Sequence, residues 1–200
     1  MNMGAVRRML SSYLEDPVVR FLARLGFSPN ALTLLGLVIA GGSAYLVSIG
    51  HMGAGGLVLL ASGVFDVLDG GLARATDRVS RFGALLDATV DRVSETVVLL
   101  GLLIFYVTRT STEGTVLVFL ALAGSTMVSY LRARAEGLGI DCRVGIMTRA
   151  ERVVTLGIGL VIGHWWLTWV MVVLGAIAGL TLLTSGQRIF HVWRTLDRQV

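Results

Sequence analysis

The chain has 200 residues, of which 54% are hydrophobic and 15% are charged, and its formal net charge is +4. Its mean hydropathy of +0.78 is too high for a soluble globular domain and indicates an integral membrane protein. The single cysteine, Cys142, excludes an internal disulfide framework. Charged residues are scattered through residues 1–24, so we expect no signal peptide there.

Residues 5–26 have apolar side chains at helical spacing and predict an amphipathic helix that lies in the membrane interface, and a solvated lead-in without a catalytic part is the alternative. This juxtamembrane helix, within residues 1–27, would precede a core at 28–200, and the two would form a single domain. The core is predicted to be a set of six transmembrane helices, which run approximately over residues 30–49, 53–75, 82–108, 113–136, 148–165 and 166–190. The sequence therefore predicts an all-α, polytopic membrane protein.

The start and the packing of the first spans can be predicted from local residues. Ser28 and Pro29 are typical of a helix N-cap and first helical position. Small residues let membrane helices approach closely. The glycines expected to serve this purpose are Gly36, Gly41, Gly42, Gly55, Gly56 and Gly63. Between the last two spans, the sequence requires a tight turn near Gly163 and His164.

The basic residues, all of them arginine, predict the orientation in the membrane. With six spans nearly all of them fall on one face, apart from Arg109 on the opposite face and Arg92 inside the third span. The positive-inside rule makes that face cytoplasmic, with both termini there. Trp165, Trp166 and Trp169 would then lie at the outer interface, which indole rings prefer. We therefore expect a multi-pass protein of the cell membrane.

Four aspartates lie in apolar surroundings at the cytoplasmic ends of the second and third spans. Asp66 and Asp69 are three residues apart, and Asp87 and Asp91 are four apart, so each pair shares one helical face. A carboxylate in a membrane helix costs roughly 2.5–3.5 kcal/mol, and four of them need a compensating partner. Because all the ligands are oxygens, hard divalent cations are the natural partner.

The pattern Asp66-x2-Asp69-Gly70-x2-Ala73-Arg74-x8-Gly83-x3-Asp87-x3-Asp91 resembles, in full, the signature of the CDP-alcohol phosphatidyltransferases. This resemblance implies a site that opens to the cytosol and holds two Mg²⁺ or Mn²⁺ ions. Asp66, Asp69, Asp87 and Asp91 would be the metal ligands, and Asp91 would also be the catalytic base.

A CDP-linked lipid is the donor that the resemblance implies. A side chain at Gly70 would crowd an approaching phosphate, and Arg74 on the same face can hold a diphosphate, although a snorkelling arginine is the alternative. The resemblance implies further contacts with this lipid in the Pro-Asn-x-x-Thr segment and in the turn between the second and third spans. These residues are Asn30, Ala31, Leu32, Thr33 and Ser80.

Four arginines embedded near helix ends predict a second anionic pocket, since burial of arginine there is costly. They are Arg132, Arg149, Arg152 and Arg188. The alternative is that they only follow the positive-inside rule. The Arg132–Glu136 run, the Arg149–Arg152 segment and the late arginine resemble the phosphatidylinositol phosphate (or archaetidylinositol phosphate) synthase branch, in which such residues hold the acceptor phosphate. The chain departs from that branch at two positions, since Ala150 stands where the branch usually has proline and Thr148 where it often has glutamate. Both differences bear on which alcohol is the acceptor. Arg92 and Glu95 are interpreted as a charge pair without a catalytic role.

The predicted reaction transfers a phosphatidyl or archaetidyl group from the CDP-lipid to inositol phosphate and releases CMP. Glycerol 3-phosphate is the alternative acceptor. A cation or proton transporter is a further alternative, but it predicts polar residues across the bilayer, and the second span is apolar from Gly55 to Phe65 apart from Ser62. We expect membrane lipids and a second copy of the chain as partners, in a homodimer, and no nucleic acid.

Overall fold

The structure is a computed structural model that describes residues 18–197. Within this range residues 18–24 are helical, six longer helices follow, and no β-strand is present. The six helices are α1 (Pro29–Ser48), α2 (Met52–Ala75), α3 (Arg81–Thr108), α4 (Thr112–Gly137), α5 (Arg149–Gly163) and α6 (Thr168–Asp197). The all-α prediction is confirmed, and the predicted boundaries agree to within a few residues except at the end of α6. This helix was expected to end near residue 190, but it continues to Asp197.

The first helix starts as its sequence predicts. Ser28 is the N-cap of α1, its side-chain oxygen accepts a hydrogen bond from the Ala31 N–H at 3.2 Å, and Pro29 is the first helical residue. Two buried hydroxyls then tie α1 to α2, because Ser43 donates to the Gly55 carbonyl at 2.7 Å and Ser62 donates to the Gly36 carbonyl at 3.0 Å. These bonds satisfy polar groups in a region without water.

Only some of the expected glycine contacts are present. A Cβ atom at Gly56 would lie 2.6 Å from the Gly157 carbonyl oxygen, so the absence of a side chain allows α2 and α5 to cross closely. A Cβ atom at Gly55 would lie 2.5 Å from Val47 Cγ2 of α1. Gly41 and Gly42 make no such contact within residues 18–197, where an added Cβ atom at either position would have no neighbour within 4 Å.

The helices pack so that the two aspartate-bearing segments meet without packing tightly. Helix α1 packs against both α2 and α3, whereas α2 and α3 have few contacts with each other. Helix α5 packs against α2 and α6, and α4 packs against α6 and α3. The main apolar core draws on all six helices and includes Leu102 of α3, Leu160 of α5 and Leu174 of α6. The ends of α2 and α3 are therefore positioned through α1, and a gap is left between them for the acidic side chains.

Apolar side chains also cover much of the outer surface. Large side chains such as Val38, Leu57 and Phe119 are more than half exposed, which suits a surface in contact with lipid. Four helices, α1, α2, α4 and α6, are long and apolar enough to cross a membrane. Helix α3 carries charges in its first half. Helix α5 has 15 residues and a length of about 22 Å, shorter than the roughly 30 Å hydrocarbon core.

The predicted amphipathic helix at 5–26 falls mostly outside the described residues. In its described part, residues 18–26, residues 18–24 are helical. Val19 is buried there and packs with Leu32 of α1 and Leu72 of α2. Phe21 and Leu25 are exposed. This segment therefore contacts the bundle next to the end of α2 that carries the aspartates.

Candidate active site

The four aspartates converge at one end of the bundle. Asp66 and Asp69 lie in the second half of α2, and Asp87 and Asp91 lie in the first half of α3. The Asp91 carboxylate is near enough to each of the other three to interact electrostatically. Asp69 is buried, and the side chains of Asp66 and Asp91 are mostly enclosed. The structure thus brings together the four acidic groups that the sequence spacing placed on two separate helix faces.

Arg149, the first residue of α5, bridges two of these carboxylates. Its Nη2 donates a hydrogen bond to Asp66 Oδ2 at 2.7 Å, and its Nη1 lies 2.7 Å from Asp91 Oδ1. The second approach is an ion-pair contact without hydrogen-bond alignment, and Asp91 Oδ1 is buried with no hydrogen-bond partner. Arg149 Nε is likewise buried and unpartnered. One guanidinium therefore links α2, α3 and α5 and still has a donor available for an anion.

The chemistry of this donor set fits hard divalent cations, because every acidic ligand offers oxygen and one buried carboxylate oxygen has no hydrogen bond. The arrangement differs from a closed metal cage. Within residues 18–197, no three acidic, histidine or cysteine side chains lie close enough to hold one ion. Arg149 provides the positive charge next to Asp66 and Asp91.

Side chains of α1 complete the acidic site. Thr33 donates a hydrogen bond from Oγ1 to Asp69 Oδ2 at 2.6 Å, and both residues are buried. A Cβ atom at Gly36 would lie 3.3 Å from Asp66 Oδ1, so this glycine leaves room for the carboxylate. Sequence reasoning assigned Thr33 to the CDP-lipid and Gly36 to helix packing. It missed their contacts with Asp69 and Asp66 because these join residues 36 and 30 positions apart on different helices.

The other residues expected to contact the CDP-lipid line the rim of the same end. Ser80 is the N-cap of α3, and a Cβ at Gly83 would contact both Ser80 Oγ and Asn30 Oδ1. The Arg74 guanidinium lies over Gly70, since a Cβ there would be 3.4 Å from Arg74 Nη1. Ala31 is exposed. Leu32 differs from the rest because its side chain is buried in the cluster with Val19 and Leu72.

The four arginines of the expected acceptor pocket have different surroundings. Arg152 is buried and makes a bidentate pair with Glu95, through Nε at 2.6 Å and Nη2 at 2.7 Å. Arg188 is buried and donates to the Val144 and Val128 carbonyls. Arg132 pairs with Glu136 on its own helix and is half exposed. Arg132 and Arg152 both lie close enough to Arg188 to interact electrostatically with it.

The predicted pairing of Arg92 with Glu95 was wrong. Glu95 pairs with Arg152 of α5, and Arg92 donates instead to the Ala88 carbonyl of its own helix. Arg152 reaches Glu95 with two parallel N–H donors, the bidentate geometry that adds strength and specificity to an arginine–carboxylate pair. Spacing along one helix gave no signal for a partner that lies 57 residues away.

In residues 18–197, four helices are long and apolar enough to cross a membrane and four aspartates gather at one end, which is consistent with a membrane protein that has an acidic site. The sequence model of the CDP-alcohol phosphatidyltransferases matches residues 27–184. The chain belongs to the CDP-alcohol phosphatidyltransferase family and is a transferase. Divalent metals such as Mg²⁺ or Mn²⁺ are the cofactors of this family.

Within this family, the chain is similar to synthases named for inositol phosphate products. The chain is 37% identical over 185 residues to the archaetidylinositol phosphate synthase of Methanothermobacter thermautotrophicus, a match that covers 90% of this chain and 89% of that protein. Two crystal structures of the phosphatidylinositol phosphate synthase of Mycobacterium tuberculosis are also similar, each at 32% identity and over 90% of this chain. The structure with CDP-DAG bound gives a TM-score of 0.82 over 94% of its chain, and the complex with manganese and citrate gives 0.83 over 89%.

Proposed function

We propose that this protein transfers a phosphatidyl or archaetidyl group from a CDP-linked lipid to inositol phosphate and releases CMP. The observation that carries the proposal is the meeting of Asp66 and Asp91 at Arg149, which retains an unpartnered buried Nε. Carboxylates that can hold divalent ions and a guanidinium that can hold a phosphate oxygen thus share one site. The relatives named for inositol phosphate products support this acceptor.

In this proposal Asp66, Asp69, Asp87 and Asp91 hold two divalent ions, Mg²⁺ or Mn²⁺. When bound, these ions neutralise charge on the diphosphate and on the departing CMP. Asp91 accepts the proton of the acceptor hydroxyl, and the hydroxyl oxygen forms a bond to the lipid-side phosphorus as the bond from that phosphorus to CMP breaks. The place of Asp91 beside the other three carboxylates supports this role.

The binding residues follow from their places around the acids. Asn30, Gly70, Arg74 and Ser80 would contact the CDP portion of the lipid from the rim. The backbone at Ala31 and Leu32 would lie beside it, while Thr33 acts through Asp69. For the acceptor phosphate we propose Arg149 as the direct ligand. Arg132 and Arg152, which lie within electrostatic range of Arg188, would add positive charge nearby together with it.

We also propose that all six helices cross the membrane within a single domain, with both termini and the active site on the cytoplasmic side. Supporting this topology, the arginines concentrate on the side where the aspartates lie, and Trp165, Trp166 and Trp169 are exposed at the opposite turn. Helix α5 would cross with the help of the 164–167 turn, which lengthens its short apolar segment. A homodimer is proposed from the family resemblance.

The proposal is tested by measuring CMP release from CDP-diacylglycerol and its archaeal ether analogue, with protein purified in detergent and Mg²⁺ or Mn²⁺ present. Inositol phosphate should support turnover, and free inositol should not, because it lacks the phosphate that Arg149 binds. If glycerol 3-phosphate supported turnover and inositol phosphate did not, glycerol 3-phosphate would be the acceptor instead. No CMP release with any phosphorylated alcohol would refute the proposed reaction.

Asp91→Asn tests the proposed base within the same assay. The amide cannot accept the hydroxyl proton, so CMP release should fall about 10²–10⁴-fold while the CDP-lipid still binds. Asp141→Asn is the matched control, because Asp141 is exposed and pairs with Arg143 away from the acids. Full activity of Asp91→Asn would remove Asp91 from this role.

A further inference from the structure

Two serine–glycine contacts join α1 and α2 along one seam. Ser43 of α1 donates a hydrogen bond to the Gly55 carbonyl of α2. In the opposite sense, Ser62 of α2 donates to the Gly36 carbonyl of α1. The two contacts are seven residues apart on each helix, a spacing that returns to the same helical face. Together they fix the register of α1 against α2.

Only one of the two contacts lies at the acidic site. Ser62 is four residues before Asp66 and on the same face of α2. Ser43 bonds instead to the first turn of α2, close to the loop that joins the two helices. Both serines are buried, so each hydroxyl finds its partner in a region without water. The seam therefore has one contact beside the acids and a matched contact away from them.

Gly36 lies directly behind the Asp66 carboxylate. A Cβ atom at Gly36 would lie 3.3 Å from Asp66 Oδ1, which is tighter than nine in ten contacts of real Cβ atoms. The next nearest atoms would be Phe65 Cβ at 3.6 Å and the Ser62 carbonyl oxygen at 3.9 Å, both at ordinary van der Waals distances. A side chain at this position would therefore disturb the Asp66 carboxylate before any other group.

The Asp66 carboxylate is held between three helices. Its Oδ2 accepts a hydrogen bond from Arg149 of α5 at 2.7 Å, while its Oδ1 faces Gly36 of α1. The side chain is 13% exposed, so few other orientations are open to it. The orientation of this carboxylate thus depends on how closely α1 approaches α2 at Gly36, and the Ser62 hydroxyl holds α1 at that place.

We propose that Gly36 and Ser62 are positioning residues for the divalent ions. The Ser62 hydroxyl holds the Gly36 backbone behind Asp66, and the missing side chain at Gly36 lets this carboxylate keep the orientation in which it binds an ion. This inference rests on the proposed function, because it takes Asp66 as a metal ligand. It adds to the metal site two residues that would not themselves contact the ion.

Gly36→Ala tests the space behind the carboxylate. Loss of an orienting contact lowers metal affinity about 10–100-fold, so the added methyl group should weaken Mn²⁺ binding about tenfold. The unfolding temperature should not fall, because the crowded atom ends a side chain and alanine has the higher helix propensity. The measurement is Mn²⁺ binding to protein purified in detergent, followed by electron paramagnetic resonance. Gly41→Ala meets no atom within 4 Å in the described part of the chain and should bind Mn²⁺ normally.

Ser62→Ala tests the hydrogen bond that holds α1, and Ser43→Ala is its matched control. Each variant removes one buried hydroxyl that donates to a glycine carbonyl across the same helix pair. Both should therefore lower the unfolding temperature to a similar extent. Only Ser62→Ala should weaken Mn²⁺ binding, and by less than Gly36→Ala, because the carboxylate keeps its space and loses only the support of α1.

Unchanged Mn²⁺ affinity in both Gly36→Ala and Ser62→Ala would overturn the positioning role. An equal loss in Ser62→Ala and Ser43→Ala would also overturn it, because the effect would then come from general loosening of the helix pair.

Asp66→Asn, measured in the same way, separates this inference from the proposed metal ligands. If Asp66→Asn weakens Mn²⁺ binding and the Gly36 and Ser62 variants do not, the inference fails alone. If Asp66→Asn leaves Mn²⁺ affinity unchanged, the ligand role of Asp66 and the inference fail together. Absence of turnover with inositol phosphate in the unmodified protein would refute the proposed reaction and leave the Mn²⁺ comparison intact.

Discussion

The hydrogen bond from Thr33 to Asp69 provides the sharpest test of how the acidic site is held. Thr33→Val removes the hydroxyl and keeps the shape of the side chain. The lost bond is short, at 2.6 Å, and both residues are 4% exposed, so water cannot replace the missing donor. A hydrogen bond to a charged group contributes about 1.5–3 kcal/mol. Asp69 would thus lose the contact that fixes its orientation.

The expected consequence is weaker metal binding. Loss of a partner that orients a metal ligand typically lowers metal affinity about 10–100-fold, which corresponds to about 1.4–2.7 kcal/mol and agrees with the value of the hydrogen bond. The measurement is a Mn²⁺ titration of purified protein in detergent, without nucleotide or lipid. Thr33→Ser, which keeps the hydroxyl, is the matched control and should bind Mn²⁺ nearly as the unmodified protein does.

The result that would refute this reasoning is an unchanged Mn²⁺ affinity in Thr33→Val. If that variant also had a raised KM for the CDP-lipid, Thr33 would be a direct contact of the nucleotide, as the family resemblance implies, and its bond to Asp69 would carry little of the metal affinity.

Two further predictions concern helix packing and charge. Gly56→Ala should lower the unfolding temperature, because its Cβ would lie 2.6 Å from the Gly157 carbonyl oxygen. Overpacking of this kind costs about 1–3 kcal/mol, which offsets or exceeds the roughly 1 kcal/mol that alanine gains in helix propensity. Gly41→Ala, with open space around it, is the control and should be neutral or stabilising; an equal loss in both variants would contradict the packing argument. Arg149→Gln should bind Mn²⁺ about tenfold more tightly, since a unit charge near 4 Å contributes up to about 4 kcal/mol at a protein surface. The same variant should raise the KM for inositol phosphate, and unchanged values of both would remove Arg149 from the site.

The sequence predicted the parts of this site that depend on one helix at a time. The spacing of Asp66 and Asp69 placed both on one face of α2, and the same reasoning worked for Asp87 and Asp91. Ser28 and Pro29 fixed the start of α1 in the same local way. Such features depend on helical geometry and capping, which residues within one turn determine.

Partners that lie across helices could not be predicted from spacing. Glu95 was assigned to Arg92, which is near in sequence, but the preferred partner arrives from α5 with a bidentate geometry. Arg152 was placed in the acceptor pocket because buried arginine in a membrane is costly, and that cost is real. The Glu95 carboxylate on another helix lowers this cost here, a contact that sequence periodicity did not indicate. The place of Arg152 in the acceptor pocket stays a prediction.

The charge balance at the acidic end would allow one site to bind both metals and an anion. Arg149 contacts two of the four carboxylates, and its one positive charge can balance only one of four ionised groups. The Glu95–Arg152 pair is neutral and contributes nothing to that balance. The remaining negative charge favours divalent cations. As they bind Asp66 and Asp91, these cations would weaken the attraction of both carboxylates to Arg149. The Arg149 guanidinium would then be more available to a phosphate.

Metal and acceptor phosphate should therefore bind cooperatively. Inositol phosphate should bind more tightly with Mn²⁺ than in EDTA, and Arg149→Gln should abolish that difference. An equal affinity with and without Mn²⁺ would show that Arg149 does not couple the two.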